Sequence, residues 1–343
     1  MKAGNNIEHE VIVLVHSKSL VTEFINNFEI REYPLVKTSW IRRVKFEYFT
    51  SKKLSKQIKP DLWFSLHDMT PNVDCKTQVV YCHNPSPFYK LTFKEKLLDI
   101  KFALFNAFYK YLYQINIKRN RFVIVQQNWL RDEFIKLFGV NTIVAYPLIN
   151  NDFSFSKEVI ENDVSKFSIF YPSFPRIFKN FEVLLEAGKI LSTYRNDFEI
   201  IVTIRGDENK YAISLFERYK QYDCIKFVGK LTRNQVYNYY NEVACLAFPS
   251  KLETWGLPIS EFKQFNKPIL AANLPYAKET VGEYGCVKFF DSTNAYELAE
   301  YLSKLIDGNL EFDRYKTLVP AAPFASNWAQ LFDIILQQKD INT

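Results

Sequence analysis

ACLAFPSKLETWGLPISEFKQFNKPILAANLPYAKETVG, residues 244–282, is the stretch from which the fold is read. It opens as a short apolar strand over 245–248 and breaks at Pro249-Ser250. A polar loop carries Glu253, and Gly256-Leu257-Pro258 then starts a helix running to about Asn266. Pro268 leads into a second apolar strand over 269–272. Strand, loop, helix, strand is one βαβ unit, and it puts the loop at the carboxyl end of a parallel sheet, where open α/β folds bind ligands. Pro258 suits the first helical turn, where its missing N–H has no partner to lose. The N–H groups of Gly256 and Leu257, with the positive end of the helix dipole, make an anion site. Glu253 in the loop and Glu261 one turn into the helix frame it with acceptors. Donors suited to a phosphate beside acceptors suited to sugar hydroxyls describe a nucleotide-sugar site.

Outward from this stretch, 343 residues predict two domains with ample core. Hydrophobic residues at 48% and charged residues at 24% mark a globular chain. No apolar run reaches the roughly 18–20 residues of a spanning helix, and the start carries no signal-peptide apolar core. The five cysteines are odd in number and scattered (Cys75, Cys82, Cys224, Cys245, Cys286), and three lie in apolar runs, which predicts reduced buried thiols and a cytoplasmic setting. The net charge of +6 suits an anionic substrate or an anionic lipid surface, and no nucleic-acid partner is expected.

Taken in order, a polar start leads to an apolar strand over 11–15. A basic segment follows (Arg42, Arg43, Lys45, Lys52, Lys53, Lys56), with a helix ending near Pro60. A strand over 61–66 runs into His67-Asp68, and another over 78–81 ends at Cys82-His83-Asn84-Pro85. Residues 92–119 read as one helix, in which Phe102, Phe105, Phe108, Tyr109 and Leu112 recur at helical steps. Lys94, Lys96, Lys101, Lys110, Lys118 and Arg119 supply a basic complement. The aromatic stripe reads either as domain core or as a face lying on anionic lipid, and the sequence leaves both open. Strands over 122–126 and 142–146 bracket a helix from Asn128 to Phe138. Polar residues 151–166 are the expected linker. Beyond them come a strand over 167–171, a loop to Lys179-Asn180, a helix over 181–191, strands over 198–204 and 225–228, and a helix over 233–241. A last helix runs from Trp328 to Gln338. The expected domains are 1–150 and 167–322, followed by a terminal helix in 323–343.

The run FPSKLETWGLPISE over 248–261 resembles the donor-site signature of retaining GT-B glycosyltransferases of the GT4 type, whose core is two glutamates seven residues apart around a G-L-P turn. The resemblance implies an α/β GT-B fold, two Rossmann-like domains with parallel sheets facing across a cleft, and a terminal helix, in 323–343, crossing back onto the first domain. That family usually begins with an earlier strand, a glycine-rich loop and a long helix, so the first βα unit is expected to be missing here. By the same resemblance Lys179, ahead of Asn180, sits on the donor diphosphate. The place of the family's arginine holds Ser173, with Arg176 or Arg205 as its substitute. Gly256, Leu257 and Pro258 belong to the donor site, Glu253 to the sugar hydroxyls and Glu261 to the ribose diol. His83 resembles the histidine that faces the donor sugar, with His67 a weaker candidate; Lys179, Glu253 and His83 are the catalytic expectations.

The implied activity moves a hexose from a nucleotide-diphosphate sugar to a saccharide or lipid-linked acceptor, with retention, in bacterial surface polysaccharide synthesis. No cofactor is implied. The sequence contains no D-x-D triplet, so transfer without a metal is expected. A lipid-linked acceptor implies peripheral attachment to an anionic membrane at the inner face of the plasma membrane, through the helix over 94–119. The alternative is a non-catalytic GT-B scaffold or a truncated inactive homologue, which Ser173 and the expected loss of the first unit both allow.

Overall fold

The computed structural model describes residues 9–22, 28–149, 166–316 and 319–337, so the expected linker falls almost wholly outside it. In the first half of the chain the strands are β1 (Ile12–Val15), β2 (Glu29–Glu32), β3 (Leu62–Ser65), β4 (Thr77–Tyr81), β5 (Phe122–Val125) and β6 (Thr142–Ala145). The helices there are α1 (Trp40–Lys45), α2 (Ser51–Ile58), α3 (Phe93–Leu98), α4 (Ile100–Gln114) and α5 (Asn128–Phe138). A π turn, Phe46–Thr50, joins α1 to α2. The second half alternates: β7 (Phe167–Tyr171), α6 (Phe181–Leu191), β8 (Phe198–Val202), α7 (Lys210–Tyr219), β9 (Ile225–Phe227), α8 (Arg233–Glu242) and β10 (Cys245–Phe248). It continues with α9 (Leu257–Phe262), β11 (Ile269–Ala272), α10 (Pro275–Val281), β12 (Val287–Phe290), α11 (Ala295–Ile306), β13 (Phe324–Ala325) and α12 (Trp328–Leu336).

Two units emerge. One comprises Met1–Asn84, Tyr109–Pro147 and Pro320–Thr343; the other comprises Pro85–Phe108 and Leu148–Val319. The first unit holds a five-stranded parallel sheet in the order β13-β6-β5-β4-β3, beside a separate parallel pair, β1 and β2. Val79, Ile124, Ile143 and Ala145 from this sheet pack with Leu331 and Ile335 of α12 as its core. Arg131 on α5 anchors the returning chain, donating to the Ala321 and Pro323 carbonyls at 2.7 and 2.5 Å.

The second unit holds a six-stranded sheet in the order β12-β11-β10-β7-β8-β9, again wholly parallel. Numbered within the unit, that is the doubly wound order, with the connections reversing direction between β7 and β10. Such sheets are covered on both faces, which is why CLAF and ILAA are buried at every position. The loops after β7 and β10 therefore flank the crevice where this topology places a ligand.

The single helix expected over 92–119 is corrected to two. At Asp99 the backbone leaves helical geometry (φ −140°, ψ 80°), and the Asp99 carboxylate accepts the Phe102 N–H at 2.9 Å, capping α4. A short acidic side chain competes for backbone donors and favours a helix start over a helix interior. The Thr92–Glu95 capping box starts α3, and α4 stops at Gln114, with Asn116 at φ 60°. Of the aromatic stripe, Phe102, Tyr109 and Leu112 are buried, whereas Phe108 is exposed. On α3 and the start of α4, Phe93, Leu97, Ile100, Leu104 and Phe108 form a second apolar line that faces solvent. Among the described residues, no helix is long and apolar enough to cross a membrane.

Candidate functional site

The loop after β7 is shaped by its last residues. Ile177–Lys179 make a 3-10 turn, and Asn180 ends it in the left-handed conformation (φ 55°, ψ 43°), which Asn tolerates better than other side chains with a Cβ. The buried Asn180 amide then donates to the Pro249 carbonyl at 3.0 Å and to the Ser292 carbonyl at 2.8 Å. Tyr171, on β7, donates to the Lys179 carbonyl at 2.8 Å. Across the strand gap, Lys251 N–H donates to the Phe178 carbonyl at 2.7 Å, and the Tyr276 hydroxyl donates to the Ser250 carbonyl at 2.6 Å. The two loops are thus stitched together through the Pro249 and Phe178 carbonyls.

Their meeting point is an ion pair. Lys179 Nζ lies 2.5 Å from Glu253 Oε1, with only 19% and 13% of the two side chains exposed. A charge-assisted hydrogen bond this sheltered from water is stronger than a surface pair. The neighbouring Tyr171 and Tyr276 phenols are pushed well up by burial and by the Glu253 charge, so they act as neutral donors.

Gly256 follows at φ 89°, a conformation that L side chains avoid, and it caps α9. A Cβ there would meet only ordinary contacts, at 3.5 Å from Ile259 and Phe248, so backbone conformation and not space demands the glycine. Leu257 is exposed and Pro258 occupies the first turn of α9, as expected. The Trp255 indole donates to Ser260 Oγ at 2.8 Å, fixing the approach to the helix. One turn on, Glu261 Oε2 accepts from the Tyr240 hydroxyl at 3.3 Å, and Arg233 stands 3.6 Å from Oε1. Lys179, Glu253, Gly256 and Glu261 all belong to the second unit.

Other expected residues fall elsewhere. Arg176 is exposed, its guanidinium 5.2 Å from the centre of the Phe174 ring, and Arg205 is exposed on Asp207 at 2.8 Å. Ser173 forms a reciprocal pair with Thr203: its N–H donates to Thr203 Oγ1, and Thr203 donates back to the Ser173 carbonyl, each at 2.8 Å.

His83 belongs to the first unit, just past β4. Its N–H donates to Asp68 Oδ1 at 2.7 Å, and its half-exposed ring has Nδ1 3.7 Å from the same oxygen. Asp68 also accepts from Asn84 N–H and from the Tyr109 and Tyr113 hydroxyls at 3.1, 3.2 and 3.0 Å. His67 is held differently, with Nε2 3.4 Å from Glu47 Oε1. Burial, then the Arg43 charge, pushes the His67 imidazole down to about 4.

Reading the residues alone misses Asn180 as a clamp, Asp68 as an anchor and Tyr240 as a partner of Glu261. Asn180 left one signal, an Asn between a basic loop and an apolar helix start. The other two left none.

The model of the family described as glycosyl transferases group 1 matches residues 151–322. The O-antigen chain mannosyltransferase RfbU of Salmonella typhimurium strain LT2 is 23% identical over 247 residues, a stretch covering 70% of this chain and 65% of that protein. The chain therefore spans just under two thirds of that relative. A glycosyltransferase from Rickettsia africae ESF-5 superposes with a TM-score of 0.60 at 16% identity, over 87% of this chain and 80% of that one. The Anabaena protein HepE, solved in complex with UDP-glucose, gives a TM-score of 0.54 at 17% identity, over 87% and 82%. At these identities the structural likeness carries the fold alone, and that fold is GT-B.

Proposed function

From the premise that this chain belongs to the glycosyl transferases group 1 family, we propose that it moves a hexose from a nucleotide-diphosphate sugar to a saccharide or lipid-linked acceptor. The observation that carries the reading is the sheltered Lys179–Glu253 pair, placed where the doubly wound sheet reverses direction and followed at once by the Gly256 turn. Breaking a sugar–diphosphate bond builds negative charge on the leaving phosphate and positive charge on the anomeric carbon. The Lys179 ammonium stabilises the first of these, and it exchanges its bond to Glu253 for one to the diphosphate as the donor binds. Glu253, so released, accepts from sugar hydroxyls. Glu261 accepts from the ribose diol, with Arg233 and Tyr240 holding the carboxylate in place.

The reading includes transfer with retention and without a metal, the acceptor attacking on the leaving group's face. His83 donates to a hydroxyl of the donor sugar or acceptor, while Asp68 sets its backbone. Arg176 contributes to donor binding by leaving the Phe174 ring. The named activity of RfbU supports a place in surface polysaccharide synthesis, and the UDP-glucose bound to HepE supports a nucleotide-sugar donor. The membrane part rests on the exposed line Phe93, Leu97, Ile100, Leu104 and Phe108, with Lys96 and Lys101 exposed beside it. Apolar rings entering the headgroup boundary while lysines meet anionic lipid give reversible, salt-sensitive attachment.

The test is donor turnover by Lys179→Ala. The rate constant kcat falls far more than KM rises, because the lysine acts on charge that grows in the transition state. A change confined to KM reduces the lysine to a binding residue.

A further inference from the structure

Phe178, the residue before Lys179, is gripped from outside the donor loop. Its ring lies 5.5 Å from Phe102 and 6.2 Å from Tyr89, centre to centre, while the Lys179 ammonium stands 5.6 Å from the centre of the same ring. Tyr89 and Phe102 are themselves 6.5 Å apart, so three rings form one cluster. Both come from the segment Pro85–Phe108, which packs with the second unit although it lies far upstream in the chain.

A polar bracket closes the same contact. The Tyr89 hydroxyl donates to Glu95 Oε1 at 2.7 Å, and Lys251 Nζ stands 3.7 Å from that oxygen. Lys251 N–H in turn donates to the Phe178 carbonyl, which Ser250 Oγ also approaches at 3.3 Å. Asn106 donates to the Tyr89 carbonyl at 2.9 Å, tying the cluster to α4. Lys179 thus lies in sequence between Phe178, whose ring is held in this cluster, and Asn180, whose amide is held by the Pro249 and Ser292 carbonyls.

We propose that Phe178 is a positioning residue for the transfer, and that Tyr89 and Phe102 hold its ring so that the Lys179 ammonium is aimed at the donor diphosphate. The proposal rests on the reading of Lys179 given above and goes beyond it by naming what sets the lysine. Its chemistry is orientation: an ammonium on a flexible four-carbon stem loses force when displaced, and an error on the order of 1 Å can cost about a hundredfold in rate. The segment that supplies the rings also carries the exposed apolar line from Phe93 to Phe108.

The experiment measures release of nucleoside diphosphate from UDP-glucose and from GDP-mannose, with kcat and KM resolved and melting temperature recorded. The proteins are the natural chain, Phe102→Leu, Tyr89→Leu, Lys179→Ala and the double variants Phe102→Leu/Lys179→Ala and Tyr89→Leu/Lys179→Ala. We expect each ring variant to lower kcat about tenfold with KM held within about threefold, the pattern of an interaction felt in the transition state. In the Lys179→Ala background Phe102→Leu adds no further loss, because its effect runs through the lysine. Equal loss in both backgrounds overturns the proposal, as does natural kcat in both ring variants. Should Phe102→Leu fail to fold, Tyr89→Leu, at a half-buried position, carries the test in the same two backgrounds. Natural turnover by Lys179→Ala sinks the reading of the lysine itself, separately from the proposal. Release from neither sugar by the natural chain overturns both.

Discussion

Replacing His67 by Gln exposes a proton balance that the intact protein conceals. Glu47 sits in the π turn with its carboxyl 2% exposed, Arg43 Nε at 2.8 Å and His67 Nε2 at 3.4 Å. Burial pushes the Glu47 carboxyl from 4.5 up to about 7, with Arg43 pulling back, while burial and then the Arg43 charge push His67 from 6.5 down to about 4. Tyr48, pushed up to about 12 by burial and by Glu47, stays neutral throughout. A carboxyl raised on folding gives stability that is full below pH 4.5 and is lost as pH rises to about 7. An imidazole lowered on folding gives the reverse, full above pH 6.5 and lost as pH falls to about 4. Between these limits the unfolded chain keeps one proton on the imidazole and the folded chain keeps it on the carboxyl. The two slopes therefore oppose each other.

His67→Gln removes one slope and leaves the other. A rise from 4.5 to about 7 then corresponds to roughly 3 kcal/mol of stability lost between pH 4.5 and pH 7, at about 1.4 kcal/mol per pH unit. Glu47→Gln leaves the opposite slope, smaller because the imidazole is 37% exposed and partly screened. The assay is urea unfolding in reductant at several pH values, read as each single variant minus the double variant Glu47→Gln/His67→Gln, which isolates the slope that each leaves. Tryptophan fluorescence suits it, because Trp40, Trp63, Trp129 and Trp328 lie in the first unit and only Trp255 in the second. Unchanged m-values confirm that the same unfolding is compared. A difference trace for His67→Gln that is flat, or that climbs with pH, refutes the reasoning.

Three further outcomes are expected. Glu261→Ala weakens nucleotide binding by about 1–3 kcal/mol, the range for a hydrogen bond to a charged group, and retained affinity for UDP and GDP in calorimetry removes its ribose role. Donor turnover persists in excess chelator; abolition with rescue by manganese or magnesium ends the metal-free reading. The protein co-sediments with anionic vesicles at low salt and is released at high salt, each basic residue contributing on the order of 1 kcal/mol. Lys96→Glu/Lys101→Glu weakens that binding, and equal sedimentation with neutral vesicles, or none with either, points to a soluble acceptor.

What the sequence determined by itself was local. Periodicity and turn chemistry placed the strand–loop–helix–strand of 244–282, the helix Phe181–Leu191 and the Gly256 turn, because each depends on neighbours within a few residues. The spacing of Glu253 and Glu261 set both carboxylates in one loop–helix step for the same reason. Asp99 was a local signal too, though the apolar rhythm around it concealed the helix break that its carboxylate makes. Tertiary structure decided the rest. Lys179 and Glu253 are 74 residues apart, and only the adjacency of β7 and β10 brings them within 2.5 Å. Sequence spacing could offer Arg176 as a substitute for a missing arginine, whereas the fold leaves its guanidinium on Phe174. Nothing in residues 85–108 announced that their rings would grip Phe178 or that Glu95 would meet Lys251. Such contacts arise between side chains whose own segments are satisfied without them, so they leave no period, cap or turn signal, and folding alone brings them together.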